Sequence, residues 1–113
     1  MKRIKDRSHL EFIRQLPCVV CGDNTSTEAA HIRHGDRRAA KRSTGLAEKA
    51  DDTWTLPLCG DCHRLQHGMN ETAFWKGYGI DPIFVALALF RVAGDQSAGE
   101  LIIAEARREL PDQ

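Results

Sequence analysis

Two Cys-x-x-Cys pairs constrain this chain more than any other feature of its sequence. Cys18 and Cys21 form the first pair, Cys59 and Cys62 form the second, and 37 residues separate the two pairs. Because no cysteine is left over, the four thiolates match two zinc knuckles that close one tetrahedral site. We therefore predict a structural Zn²⁺ held by all four cysteines, with two disulfides or an iron–sulfur site as the alternatives.

The length and the composition favour metal ligation. With 113 residues the chain is predicted to be a single domain, 1–113, with a modest core, and domains of this size often use a metal to add stability. We see no apolar signal-peptide core and no stretch that is long and apolar enough to cross a membrane. We therefore expect a cytoplasmic protein with no membrane contact, in a compartment that keeps thiols reduced.

The charges are unevenly distributed although the net charge is zero. Residues 1–49 contain 11 Lys and Arg against 6 Asp and Glu, whereas residues 50–113 contain 5 against 10. One interpretation is ordinary surface variation, and the other is a basic face for nucleic-acid phosphates. The candidate phosphate-binding residues in the irregular 33–49 loop are Arg33, Arg37, Arg38, Lys41 and Arg42, with Lys49 at its end and Lys2, Arg3, Lys5 and Arg7 in an N-terminal arm. A solvated charged loop is the alternative.

The hydrophobic pattern predicts a small α+β fold. A first helix over 9–15 would begin at a capping box of Ser8 and Glu11, and His9 would be solvated. Strands over 27–32 and 53–58, with a helix over 62–67, would form a ββα unit. Further helices are predicted at 71–76, 83–92 and from 97 to about 110, with caps at Asn70, Asp81 and Ser97. The apolar 83–92 segment should be buried in the core or in a dimer interface. Trp54 and Trp75 should be core residues, with stacking on nucleic-acid bases as the alternative.

Three histidines are not needed for the cysteine site. His63 and His67 are four residues apart, so a helix would direct both rings to one point. A divalent metal held by few protein ligands keeps open positions for water and substrate oxygen, as hydrolysis requires. His31, at the end of the first strand, would be a general base, and Asp51 or Asp52 would orient it or complete the metal shell. Mg²⁺ prefers oxygen ligands, whereas two imidazoles also suit Mn²⁺, Ni²⁺ or Zn²⁺, so the identity of the metal stays open.

These motifs, in this order, resemble the HNH endonucleases of the ββα-metal class. The resemblance is carried by the first cysteine pair, Ala30-His31-Ile32, the basic loop, residues 49–52, and the run from Leu56 to His67 that contains Cys-His-x-x-x-His. More narrowly the chain is similar to small phage and prophage HNH-like nucleases, among them the nuclease domain of a phage recombination-enhancing protein. The similarity covers about 16–82, and helices over about 82–110 lie outside it.

The resemblance implies a zinc-stabilised ββα-metal core with additional N- and C-terminal helices. It also implies roles for single residues: His31 as general base, His63 and His67 as ligands of a catalytic Mg²⁺ or Mn²⁺, and Asp52 as the supporting middle position. The chain departs from the family pattern at Ala30, where many members carry a metal-binding Asp or His. The alternatives for the missing ligand are Asp52, Asp51, His34 and His31 itself.

The expected function is that of a metal-dependent DNA endonuclease with little sequence specificity, in phage or prophage DNA processing or recombination. Its partner would be DNA, and a recombinase filament or another DNA-processing protein would be a second partner if cleavage depends on one. The alternative is a non-catalytic zinc module that binds nucleic acid or protein. The oligomeric state stays open.

Overall fold

A computed structural model describes residues 4–44 and 50–108 of the chain. The described elements are α1 (Arg7–Arg14), β1 (Thr27–His31), a 3₁₀ turn (Arg37–Ala39), β2 (Thr55–Cys59), α2 (Gly60–His67), α3 (Glu71–Gly77), α4 (Pro82–Arg91) and α5 (Gln96–Arg108). The predicted α+β class is confirmed. Lys2, Arg3 and Lys49, together with the end of the last predicted helix at residue 110, lie outside the described residues.

The two strands form an antiparallel sheet that leads directly into α2. Thr27 pairs with Cys59 and His31 pairs with Thr55, so the two ends of β1 lie beside the end and the beginning of β2. All five residues of β2 are buried. Since α2 begins directly after β2, its first turn lies near the Thr27 end of β1, whereas His31 lies at the opposite end. The order β1, β2, α2 is the one predicted for the ββα unit.

The apolar core packs the helices on the sheet. Its largest fully buried apolar side chains are Phe74, Ile13, Leu16, Ile32, Leu56, Leu58, Leu89 and Ile103. Trp75 is 3% exposed, which confirms it as a core residue, and Trp54 is partly buried against the same cluster. Phe84 of α4 is 72% exposed, so the predicted burial of this helix holds on one side only.

Two helices have an earlier N-cap than the sequence predicted. In α1 the N-cap is Asp6 rather than Ser8, and its carboxylate accepts the backbone N–H three residues further on at 3.0 Å. Asp95 does the same before α5, at 3.1 Å, in place of Ser97. In each case the Asp precedes the expected Ser by two residues. Asp and Ser cap a helix about equally well through their oxygens, and the helix dipole in addition favours the charge of the carboxylate.

His9 is buried, so the prediction of a solvated residue is wrong. Its exposed fraction is 1%, and neither ring nitrogen has a hydrogen-bond partner among the described residues. The ring lies 5.8 Å from that of Phe12 and 5.1 Å, edge-on, from that of Phe90. Phe90, near the end of α4, therefore covers part of the face of α1 that carries His9, although it is far away in sequence.

The remaining predicted caps agree with the structure. Asn70 caps α3 and Asp81 caps α4, where Pro82 occupies the first turn, and Gly68 ends α2. No single helix in the described part of the chain is long and apolar enough to cross a membrane. Only α3 and α4 taken together reach that length and composition, and the two helices are bent by 84°.

Candidate metal centre and histidine site

The four cysteines come together in one cluster. Cys18 and Cys21 lie in the turn after α1, and Cys59 and Cys62 lie at the junction of β2 and α2. The four sulfurs all lie within 4.8 Å of one another, and no two of them are bonded as a disulfide. The Cys21 and Cys59 sulfurs are 3.6 Å apart. A tetrahedral Zn²⁺ with bonds of about 2.3 Å requires sulfurs about 3.8 Å apart. The cluster is therefore compatible with a structural metal such as zinc.

Both cysteine pairs have the backbone geometry of a zinc knuckle. The N–H of Cys21 points to the sulfur of Cys18 at 3.5 Å, and the N–H of Cys62 points to that of Cys59 at 3.4 Å. Gly22 follows the first pair with φ +83°, a left-handed conformation that glycine adopts without strain. The N–H of Val19 donates to the carbonyl of the β2 residue Pro57 at 2.9 Å, which ties the first knuckle to the strand that carries the second.

Three thiols in this cluster have shifted pKa values. Burial, and then the neighbouring thiols, raise the pKa of Cys62, and burial also raises the pKa of Cys21. At Cys18 burial is opposed by backbone N–H groups that donate to the sulfur, and the net effect lowers the pKa of this thiol. When several thiols lie this close together, the thiolates that form by deprotonation repel one another. A cation at their centre would offset this repulsion.

His31 is held by Asp52. Its Nε2 lies 2.8 Å from Oδ1 of Asp52, whose side chain is 3% exposed, while the His31 side chain is 24% exposed. The other carboxylate oxygen of Asp52 accepts the backbone N–H of Asp6 at 2.7 Å. One buried carboxylate therefore joins the end of β1 to the N-cap of α1, and the imidazole that it holds is partly open to solvent.

The N-terminal segment is attached to both aspartates before β2. Ile4 donates its N–H to Oδ1 of Asp51 at 2.7 Å and accepts the N–H of Asp52 at 2.9 Å. Of the two aspartates considered for orienting His31, the structure therefore uses Asp52. Asp51 anchors the N-terminal segment instead.

His63 and His67 meet as the helical spacing predicted. Their Nε2 atoms are 3.2 Å apart, on the surface of α2. Two imidazole nitrogens bound to one cation at about 2.0–2.1 Å lie about 2.9–3.4 Å apart for octahedral or tetrahedral angles. The 3.2 Å spacing lies in this range, and it is also the spacing of an N–H···N hydrogen bond between the two rings. Nδ1 of His63 faces away from this pair and lies 2.7 Å from Oε1 of Glu28, a residue to which the sequence had assigned no role.

The three histidines do not form a closed cluster. Among residues 4–44 and 50–108, the four cysteines are the one group of three or more candidate ligands whose donor atoms all lie within 4.8 Å. Three of the residues considered as substitutes for the ligand missing at Ala30 each contact another group. Asp51 accepts the N–H of Ile4, Asp52 holds His31, and Nδ1 of His34 lies 2.5 Å from Glu71. The structure therefore brings together His31 with Asp52, and separately His63 with His67.

Glu71 is a second residue that the sequence did not single out. From the first turn of α3 its carboxylate accepts the backbone N–H groups of Arg33 at 3.0 Å and His34 at 2.8 Å. This carboxylate holds the start of the basic loop against α3. The distance of 37 to 38 residues along the chain explains why no local motif identifies it.

The five basic residues of the 33–49 loop differ in their accessibility. Arg37, Arg38 and Arg42 are exposed and Arg33 is half-buried. Lys41 is 7% exposed, and its ammonium donates to the carbonyls of His34 at 2.7 Å and Arg42 at 3.3 Å. Burial lowers the pKa of Lys41. Lys41 therefore supports the loop from inside, contrary to the expectation that it contacts phosphate.

Comparison with known protein families identifies the family of this chain. The model of a family described as a protein of unknown function, DUF968, matches residues 1–93. The chain belongs to the DUF968 family. No curated protein and no solved structure matches the chain. The DUF968 segment includes both cysteine pairs and all five histidines, and it ends just before α5.

Proposed function

We propose that this DUF968 chain is a metal-dependent endonuclease of the ββα-metal type that hydrolyses phosphodiester bonds in DNA. The observation that carries the proposal is the 2.8 Å contact between His31 and the buried carboxylate of Asp52. A partly exposed imidazole held by a buried carboxylate is an arrangement that suits a general base, because the carboxylate fixes the orientation and the tautomer of the ring.

The contact defines which nitrogen of His31 would take the proton. An ionised carboxylate only accepts hydrogen bonds, so Nε2 of His31 donates to Asp52 and Nδ1 carries the free lone pair. Nδ1 would remove a proton from the water that attacks phosphorus. Asp52 would keep the ring in this tautomer and stabilise the imidazolium that forms.

His63 and His67 would hold the divalent cation through their Nε2 atoms, which the 3.2 Å spacing permits. When bound, such a cation stabilises the charge that develops on the phosphate and on the leaving 3′ oxygen. Two imidazoles from the protein leave most coordination positions to water and phosphate oxygens, and Mg²⁺ or Mn²⁺ accepts that ligand set.

The exposed arginines of the loop would bind the DNA backbone. Arg37, Arg38 and Arg42 are all exposed. Arg42 also donates to the carbonyl of Ser43 at 3.3 Å, and Arg38 pairs with Asp36 at 2.6 Å and Asp81 at 3.1 Å. Contacts of this kind depend on phosphate charge and carry no base information. We therefore propose weak sequence preference, and a role in phage or prophage DNA processing that is either intrinsic or dependent on a recombinase filament.

A non-catalytic zinc module is the second candidate. The observation that favours it is the closed cysteine cluster, from which the histidines of the described residues are separate. Such a module would bind nucleic acid or protein without cleaving it, and the histidine pair would only cover the surface of α2.

A nicking assay separates the two candidates. Supercoiled plasmid and single-stranded DNA are incubated with the protein, with and without Mg²⁺ or Mn²⁺, and with and without a recombinase filament. The nuclease proposal predicts metal-dependent cleavage that His31→Ala abolishes while the zinc content stays at one per chain. Glu11→Ala, on the exposed side of α1 and outside the proposed site, is the control and should cleave like the wild type. Absence of cleavage by the wild type under every condition would favour the binding module.

A further inference from the structure

The strand face that carries Ala30 also carries Glu28. Side chains two residues apart along a strand point to the same side, so both face the same way from β1. Ala30 is 2% exposed and has no polar group to offer. Glu28 is half-exposed, and its Oε1 lies 2.7 Å from Nδ1 of His63. On this face of β1, Glu28 therefore offers a carboxylate to α2 where Ala30 offers none.

The first turn of α2 leaves room for this carboxylate. A Cβ built on Gly60 would lie 3.3 Å from Oε2 of Glu28 and 3.2 Å from the Arg64 guanidinium. A side chain at this position would crowd the carboxylate. Glu28 therefore lies over the beginning of α2, within reach of the ring of His63.

We propose that Glu28 is a positioning residue for the histidine pair, which selects the tautomer of His63 and directs its Nε2 to the divalent cation. This inference rests on the proposed function, since it concerns the same pair of metal ligands. Glu28 is not itself the missing third ligand, because it contacts the ring nitrogen on the far side from His67.

The chemistry follows from the two nitrogens of the ring. A carboxylate accepts the hydrogen of Nδ1, which leaves Nε2 of His63 with its lone pair towards Nε2 of His67, 3.2 Å away. In the other tautomer Nε2 would carry hydrogen and would bind no metal. A carboxylate behind a metal-bound imidazole also increases the basicity of the ligand, and the loss of such a partner typically weakens metal binding about 10–100-fold.

Two measurements on the zinc-loaded chain test the inference. Long-range ¹H–¹⁵N NMR of the histidine rings, without added divalent metal, reports the tautomer of His63. Calorimetric titration with Mn²⁺ reports the affinity of the pair, and His63→Ala shows which binding event belongs to it. The variants are Glu28→Ala and Glu28→Gln, with Glu11→Ala, on the exposed side of α1, as the matched control.

The inference predicts a different result for each variant. In the wild type His63 should carry hydrogen on Nδ1. In Glu28→Ala the ring should lose this preference, and Mn²⁺ binding should weaken by about 10–100-fold. The zinc content and the melting temperature should stay equal to those of the Glu11→Ala control. Glu28→Gln, whose amide oxygen still accepts a hydrogen bond, should keep the tautomer and most of the affinity.

Failure of the inference is distinguishable from failure of the proposed function. If His63→Ala abolishes Mn²⁺ binding and Glu28→Ala leaves it unchanged, the role of Glu28 is overturned and the nuclease proposal survives. If Glu28→Ala weakens Mn²⁺ binding but the wild type cleaves no DNA, the positioning role stands and the nuclease proposal fails. A wild type without Mn²⁺ binding at the pair would overturn both.

Discussion

His31 and Asp52 are joined by a hydrogen bond of 2.8 Å, and the same carboxylate accepts the backbone N–H of Asp6 at 2.7 Å. Asp52 is 2% exposed. A buried carboxylate needs such partners, because an unpaired charge in the interior is costly. One residue therefore links the orientation of the proposed base to the start of the first helix.

Replacing Asp52 with Asn tests this link with little change in volume. The amide nitrogen would face a hydrogen-bond donor at one of the two contacts, and the charge that stabilises the imidazolium would be lost. We expect Asp52→Asn to lower the cleavage rate by about 10²-fold, the lower end of what a positioned base contributes. Asp51→Asn is the control, since its amide oxygen can still accept the N–H of Ile4. Equal rates for the two variants would contradict the role of Asp52.

Cys18→Ala should unfold the domain. Structural zinc contributes about 10–16 kcal/mol in zinc-finger peptides, comparable with or larger than the total stability of most small domains. We expect loss of bound zinc by mass spectrometry and loss of the cooperative thermal transition. His63→Ala, close to the cluster in sequence, should retain one zinc per chain. A soluble and fully folded Cys18→Ala protein would contradict the zinc assignment.

The burial of His9 should make the stability of the protein depend on pH. Burial lowers its pKa from the usual value of about 6.5, against the opposing charges of Asp6 and Asp52. The folded state therefore binds a proton less readily than the unfolded state, and the free energy of unfolding falls as the pH drops below about 6.5. His9→Leu removes this proton linkage, together with two buried nitrogens that have no hydrogen-bond partner in the described part of the chain.

We expect His9→Leu to raise the free energy of unfolding by about 1 kcal/mol at pH 7.5, and by more at pH 6.0. Urea unfolding at the two pH values measures both effects. Arg14→Leu, on the exposed side of the same helix, controls for the change in helix propensity. A destabilised His9→Leu protein would show that the ring makes contacts that Leu cannot replace.

Two glycines in helices should respond oppositely to the same substitution. A Cβ on Gly99 of α5 would lie 2.9 Å from both Leu16 and Phe12, which are buried and cannot move aside. A Cβ on Gly77 of α3 would meet no atom of the described residues within 4 Å. We expect Gly99→Ala to cost about 1–3 kcal/mol through overpacking, and Gly77→Ala to add about 0.5–1 kcal/mol through helix propensity. Thermal unfolding of both variants tests whether α5, beyond the DUF968 segment, packs on α1.

Removal of the exposed loop arginines should change the salt dependence of DNA binding. Each phosphate contact contributes about 0.9 to the slope of log K against log salt concentration. We expect Arg37→Ala/Arg42→Ala to reduce that slope by up to about 2. Lys76→Ala/Arg91→Ala removes the same charge from exposed positions on α3 and α4 and should leave the slope unchanged. Fluorescence anisotropy with a short DNA duplex at several salt concentrations measures the slope. Equal slopes for the loop variant and the wild type would contradict a role for the loop.

Local spacing along the sequence accounts for the features that were predicted correctly. The Cys-x-x-Cys turns present two sulfurs to one point whatever surrounds them, and residues four apart on a helix bring His63 and His67 together. The caps at Asn70 and Asp81 also depend only on the next three residues. These interactions close within one turn, so the sequence by itself determined them.

Contacts between distant segments were decided by the tertiary structure alone. Glu28 reaches His63 across 35 residues, and His9 packs edge-on against Phe90 of α4. The sequence offered both Asp51 and Asp52 to His31, and the fold directed Asp52 to the histidine and Asp51 to the N-terminal segment. Which distant side chains meet depends on strand register and on how helices return over the sheet, and residue spacing encodes neither.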